Sequence, residues 1–131
     1  MSYHYTALIT TLSLAVYVAT MILVGRARGR YKLDAPAVVG NPDFERVFRV
    51  QQNTLENLAV YLPSLWLFAI LISDRWAALI GVVWIAGRLL YMRGYYAEAS
   101  RRGTGFVVSM LASLALLLGA LFGAVWKILH A

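Results

Sequence analysis

The sequence predicts an all-α integral membrane protein, an antiparallel bundle of four transmembrane helices occupying residues 1–131 as a single domain. Three observations carry that prediction. Hydrophobic residues make up 61% of the 131, and the mean hydropathy of +0.68 lies well above that of a soluble domain. A bilayer crossing takes about 20 mostly apolar residues, so a chain of this length holds about four, with short connections. Charged residues, finally, gather at 26–56, 74–75 and 93–102, leaving only Arg88 and Lys127 elsewhere.

The net charge is +6, from 12 basic and 6 acidic side chains. In so apolar a chain, cations beside spans set topology and meet anionic lipid; nucleic acid is not expected as a partner. The sequence contains no cysteine, which excludes a disulfide, a thiolate nucleophile and a cysteine-ligated metal. His4 and His130 stand at the termini without a ligand cluster, and no metal site is expected.

The first helix is placed at about 5–27. Its apolar run precedes Arg26, Arg28, Arg30 and Lys32, whereas a cleaved leader carries its positive charge first, so this segment is expected to stay. Asp34, Pro36, Gly40 and Pro42 then mark a connection. Asp43 is expected to cap the second helix, about 43–72, which turns apolar from Leu58 and is bent by Pro63. Ser73-Asp74-Arg75 makes a short break, so the second and third helices form a hairpin. The third, about 76–100, puts Arg88, Tyr91 and Tyr95 on one face. A turn at 101–105 leads into the fourth, about 105–128, where Gly119-x-x-x-Gly123 with nearby alanines and serines permits close helix contact. Trp66, Trp76, Trp84 and Trp126 are expected at the membrane interfaces or in the core.

In this arrangement Arg26, Arg28, Arg30, Lys32, Arg46, Arg49, Arg93, Arg101 and Arg102 share one membrane face, against Arg75 and Lys127 on the other. The positive-inside rule puts the first and third connections in the cytoplasm and both termini opposite.

Polar chemistry concentrates at 45–56. Read as a helix, this segment lines up Arg46, Arg49, Asn53 and Glu56 in one stripe, with Glu45 and Gln52 beside it. Counting outward from the turn at Asp74-Arg75 sets Glu56 level with Tyr91, Asn53 with Tyr95 and Arg49 with Arg102, to within about 3 Å at about 1.5 Å per residue. A charge at membrane depth needs a partner; for Glu56 the candidates are Arg49 and Arg88. Two readings stay open on the residues alone. Either these groups are ion pairs and snorkelling arginines that hold the bundle together, or they form a site. The excess of cations suits a small anion, and Glu56 leaves a place for an ammonium.

The run NPDFERVFRVQQNTLE at 41–56, then LWL at 65–67 and RLLYMRGY at 88–95, resembles the MAPEG family of microsomal glutathione transferases, leukotriene C4 synthase and relatives. The likeness covers about 28–109. It implies a homotrimer of four-helix subunits binding glutathione, as co-substrate, between neighbouring subunits. By matching position it implies that Arg49, Gln51, Asn53 and Glu56 hold the glutathione backbone, with Glu56 on the amino group and Arg28 on a carboxylate. Tyr91 and Tyr95 match further contacts, and Arg102 matches the thiol-activating arginine, with Arg101 the adjacent alternative. The chain departs from the pattern at Asn57, where a tyrosine is common, and at Gly29, the second arginine of a pair on the first helix, for which Arg30 would have to substitute.

The chemistry agrees with that implication. A guanidinium keeps its charge at any working pH, so Arg102 in a partly desolvated site would favour thiolate over thiol, and the thiolate is the nucleophile. A hydrophobic small-molecule electrophile would arrive through the lipid bilayer. The expected function is conjugation of glutathione to such electrophiles, with reduction of lipid hydroperoxides as a companion activity. The alternatives are a non-catalytic lipid-binding scaffold of the same family and a small transporter. A transporter would line the whole membrane depth with polar residues, and the first and fourth helices show no such lining.

Overall fold

The computed structural model of the protein describes residues 2–131. Four helices, α1 (His4–Tyr31), α2 (Pro42–Leu71), α3 (Asp74–Ala97) and α4 (Gly103–Leu129), run up and down, and a one-turn 3-10 helix, Ala99–Arg102, precedes α4. No strand occurs among the described residues. Each long helix has the length and apolarity to cross a bilayer, and the chain is an integral multi-pass membrane protein.

Local chemistry sets the helix ends, and three of them differ from expectation. Helix α1 runs a turn further than 27, to Tyr31, and stops where Lys32 adopts φ 55 and returns its N–H to the Arg28 carbonyl. At the start of α2 the cap is Asn41 rather than Asp43. The Asn41 Oδ1 accepts the backbone N–H groups of Asp43 at 2.9 Å and Phe44 at 3.0 Å, Pro42 occupies the first turn, where a missing N–H costs nothing, and Asp43 pairs instead with Arg46. Helix α3 begins at Asp74, its Ser73 cap accepting the Trp76 N–H at 3.3 Å, and ends at Ala97 because Glu98 is extended, with φ −163 and ψ 134. The expected turn at 101–105 is thus drawn back to 98–102. Pro63 lies inside α2 without ending it.

The interior is more polar than the rim, as a hydrocarbon solvent allows. Large apolar side chains such as Leu8, Ile22, Leu111, Leu118 and Phe122 point outward, while Thr6, Ser13 and Thr20 lie fully buried on α1. Their hydroxyls stay satisfied: Ser13 donates to the Ile9 carbonyl at 2.7 Å and meets the Tyr61 hydroxyl at 2.9 Å, Thr20 donates to the Tyr17 carbonyl at 2.6 Å and Thr6 to the Asp74 carbonyl at 3.4 Å. The Tyr61 ring stacks flat on Trp84, centroids 4.0 Å apart, at the centre of the core. Of the four tryptophans, Trp84 is therefore core, whereas Trp76 and Trp126 are exposed at the end of the bundle that carries the termini.

Two contacts fix how the helices sit. At the end with the termini, the Asp74 carboxylate accepts the backbone N–H groups of Thr6 at 2.9 Å and Tyr5 at 3.3 Å, so the first residue of α3 caps the start of α1. In the first two turns of α4, α3 and α4 cross with their backbones nearly touching. A methyl added at Gly105 would lie 2.5 Å from Tyr91 Cα and 2.7 Å from the Gly87 carbonyl oxygen, and one at Gly87 would lie 2.7 Å from Ser109 N. Gly119 and Gly123 also pack closely, against Phe68 and Ile72 of α2, but there the neighbours are side chains.

Candidate functional site

The polar head of α2 places its residues on two faces. Val50, Thr54, Leu58, Tyr61 and Leu65 form the buried stripe, so Thr54 points inward with Asn53 half-buried beside it, while Arg49 and Glu56 remain exposed. Glu56 is two positions beyond Thr54, about 200° around the axis at about 100° per residue. That rotation keeps Glu56 from Arg88. Neither candidate partner pairs with it, and the ion pairs among the described residues are Arg46 with Asp43 and Arg101 with Glu98.

Arg88 instead turns into the bundle, where it is fully buried. One terminal nitrogen donates to Asn53 Oδ1 at 3.0 Å and to Thr54 Oγ1 at 2.9 Å; the other reaches Ser109 Oγ on α4 at 3.5 Å. Its guanidinium carbon lies 4.1 Å from the centre of the Tyr91 ring. A buried cation with no carboxylate partner is thus held by three neutral oxygens and an aromatic face. The depth count foresaw Asn53 level with Tyr95; the long Arg88 side chain closes the distance by reaching toward Asn53 from two turns nearer the hairpin.

From Arg88 the contacts continue outward. The Tyr91 and Tyr95 rings stand 5.5 Å apart, and the Arg102 guanidinium lies 5.6 Å from the Tyr95 ring centre. Arg102 is exposed and donates one bond, to the Ala99 carbonyl at 2.9 Å, within its 3-10 turn. Arg101, the neighbouring alternative, faces elsewhere: its Nε lies 3.5 Å from Glu98, and it borders a groove between α3 and α4 with Arg93 and Thr104. Of the sequence-derived residues, the structure therefore joins Asn53, Tyr91, Tyr95 and Arg102 in one chain of contacts through Arg88.

The others lie apart from that chain. Arg49 and Glu56 make no side-chain bond among the described residues, and Gln51 is half-buried without one. Arg28 donates to the Ala37 carbonyl at 2.8 Å and the Leu33 carbonyl at 3.3 Å and stacks 5.0 Å from the Phe44 ring centre. Its visible role is to pin the connection between α1 and α2. Arg30, the proposed stand-in at Gly29, lies over Tyr31.

Beside the chain of contacts runs a feature the sequence reading missed. Asn53, Glu56 and Asn57 of α2 face Phe106, Met110 and Ser113 of α4 across a groove of about 290 Å³, with Val60 at its far end. One wall carries amides and a carboxylate and the other is nearly all apolar; Ser113, buried in that wall, has a hydroxyl with no partner. The spacing of 106, 110 and 113 is helical and was legible as a face. What it faced was not, because the rotation of α4 about α2 is set by the glycines at 119 and 123.

Comparison with known proteins finds relatives over most of the chain. The family model described as the MAPEG family matches residues 6–122. The chain is 51% identical to an uncharacterized protein of Synechocystis sp. over 93% of this chain and 89% of that one. It is 46% identical to microsomal glutathione S-transferase 2 of Homo sapiens over 75% of this chain and 67% of the relative, and 33% identical to leukotriene C4 synthase of Bos taurus over 73% and 64%.

Proposed function

This chain belongs to the MAPEG family, and on that premise we propose that it is a membrane-bound glutathione transferase that joins the glutathione sulfur to hydrophobic electrophiles. The observation that supports it most directly is the chain of contacts from Asn53 through Arg88, Tyr91 and Tyr95 to Arg102. It ends in an exposed, permanently charged guanidinium, and its other end, Asn53, lines the groove between α2 and α4. Glutathione offers two carboxylates, an ammonium and a thiol. Arg49 and Glu56, which make no side-chain bond among the described residues, are the cation and anion free to receive its charged ends, with Asn53 and Gln51 between them and Arg28 contributing its remaining donors. In the assembly we propose, a homotrimer, this exposed face of α2 meets a neighbouring subunit, and glutathione lies between the two.

Arg102 then sets the reactivity. Its charge stabilises the thiolate over the thiol, so the proton leaves to water without a dedicated base. The sulfur lone pair forms the new bond to carbon, while the bond to the electrophile's leaving atom breaks and that atom takes its electrons away. Arg101, tied to Glu98, is less suited to the task. The groove between α2 and α4 seats the electrophile, its apolar wall of Phe106 and Met110 open to ligands partitioned in lipid. Lipid hydroperoxides, which enter the same way, are a second substrate class for the same thiolate. The arginine-rich end of the bundle is the cytoplasmic side on this reading.

Glutathione binding to the detergent-purified chain, followed together with thiolate ultraviolet absorbance, tests the assignment. Arg102→Ala should keep most of the affinity while the pH midpoint of thiolate absorbance rises by about one unit or more; an unmoved midpoint removes Arg102 from the chemistry. Glu56→Ala should weaken binding itself, by about 1–3 kcal/mol for a lost partner of an ammonium. Equal calorimetric affinity would place Glu56 outside the site.

A further inference from the structure

We propose that a second groove, between α1 and α2 at the arginine-rich end, holds the phosphate and the upper acyl segment of an anionic phospholipid. This groove, about 250 Å³, is lined by Leu23, Arg26, Ala27, Arg30 and Tyr31 of α1, Val47 of α2 and Tyr96 of α3. It is not the glutathione face. Val47 and Arg49 are two positions apart on α2, so they point about 200° away from one another.

Arg26 and Arg30 stand one turn apart on α1, both exposed and neither in an ion pair among the described residues. Asp34, the nearest carboxylate in sequence, pairs with neither, and those at the head of α2 are engaged elsewhere. Asp43 pairs with Arg46, and Glu45 accepts the Gly40 N–H at 3.3 Å. Two guanidiniums on one wall therefore want an anion from outside the chain, and their forked donors match phosphate oxygens.

The groove is also graded along the membrane normal. From Arg30 down to Leu23 is about 10 Å of helix, with Arg30 at its head, Arg26 one turn deeper and the methyls of Ala27, Val47 and Leu23 filling the rest of the lining. A soluble anion would use only the upper half, whereas a phospholipid uses both, with its phosphate at the arginines and its first methylenes against Leu23. The Tyr96 hydroxyl, buried without a partner, is a further donor on this lining. None of this depends on glutathione chemistry.

The test is native mass spectrometry of the full chain released from nanodiscs of phosphatidylcholine containing a titrated minor fraction of phosphatidylglycerol. The wild-type chain should retain phosphatidylglycerol well above its bulk fraction. Arg26→Gln with Arg30→Gln should weaken retention about 100-fold or more, because two charge-assisted contacts to the phosphate are lost. Arg93→Gln, an exposed arginine at the same end but outside the groove, should change it by about fivefold at most, the share of one diffuse surface cation, and inorganic phosphate should not displace the lipid. Unchanged retention in the double variant overturns the proposal. So does an equal loss in Arg93→Gln, which would reduce the effect to diffuse charge, and so does full displacement by inorganic phosphate, which would leave a phosphate site with no lipid in it.

Discussion

Gly105→Ala should destabilise the chain by about 3 kcal/mol or more, at or beyond the upper end of the usual overpacking cost. The reason is what the new methyl would meet. Side chains can swing aside, but here the obstacles are the Tyr91 Cα at 2.5 Å and the Gly87 carbonyl oxygen at 2.7 Å, and backbone in a hydrogen-bonded helix cannot yield without moving the helix. Helix α3 would have to separate from α4, taking Tyr91 with it, so glutathione affinity should fall together with stability. Gly25→Ala and Gly29→Ala provide the comparison, since a methyl at either meets nothing within 4 Å, and both should be neutral. Unfolding by denaturing detergent titrated into mild micelles reads the difference. A Gly105→Ala chain as stable as wild type would mean that the two backbones are not in contact at this crossing.

Arg88→Ala should cost about 3–5 kcal/mol, the range for breaking a buried charged network. A cation at the centre of a span is itself unfavourable by about 2.5–3.5 kcal/mol on insertion scales, so the sign turns on what its contacts return. Hydrogen bonds to a charged group contribute about 1.5–3 kcal/mol each. Arg88 makes two at 3.0 Å or less, to Asn53 and Thr54, and a desolvated guanidinium over an aromatic ring adds about 2 kcal/mol. The contacts win. Removing the side chain also leaves Asn53 and Tyr91 without their common anchor, so glutathione binding should weaken even though Arg88 does not reach the exposed face. Arg88→Lys keeps the charge but not the fork and should recover only part of the loss. Stability within about 1 kcal/mol of wild type in Arg88→Ala would show instead that desolvation cancels the contacts.

How far the sequence discloses this molecule depends on whether a feature belongs to one helix or two. The four spans are readable because each is a long apolar run, and the shared face of Arg88, Tyr91 and Tyr95 is readable because it is a matter of spacing on a single helix. The partner of Arg88 is not, since it depends on the rotation of α2. Glu56 has the right charge and nearly the right depth, yet it points outward, and neutral Asn53 and Thr54 take the contact. The glycine seam shows the same limit. Gly119 and Gly123 stand out as a pair on one helix, whereas Gly87 and Gly105, which bring the α3 and α4 backbones together, lie on different helices and make no motif on either. At the helix ends, Asn41 outcompetes Asp43 because the cap must precede Pro42, which has already taken the first helical position.

The carboxylate of Asp74 carries a consequence for biogenesis. The opening amides of α1 find their acceptor on the first residue of α3, so a helix translated before α2 and α3 cannot be finished by anything translated near it. Until the α2–α3 hairpin has inserted, those amides must rely on water at the bilayer surface. Closure at that end is consequently a late step in assembly, and a nascent chain halted after α2 holds its first span in the membrane without a fixed place beside the others.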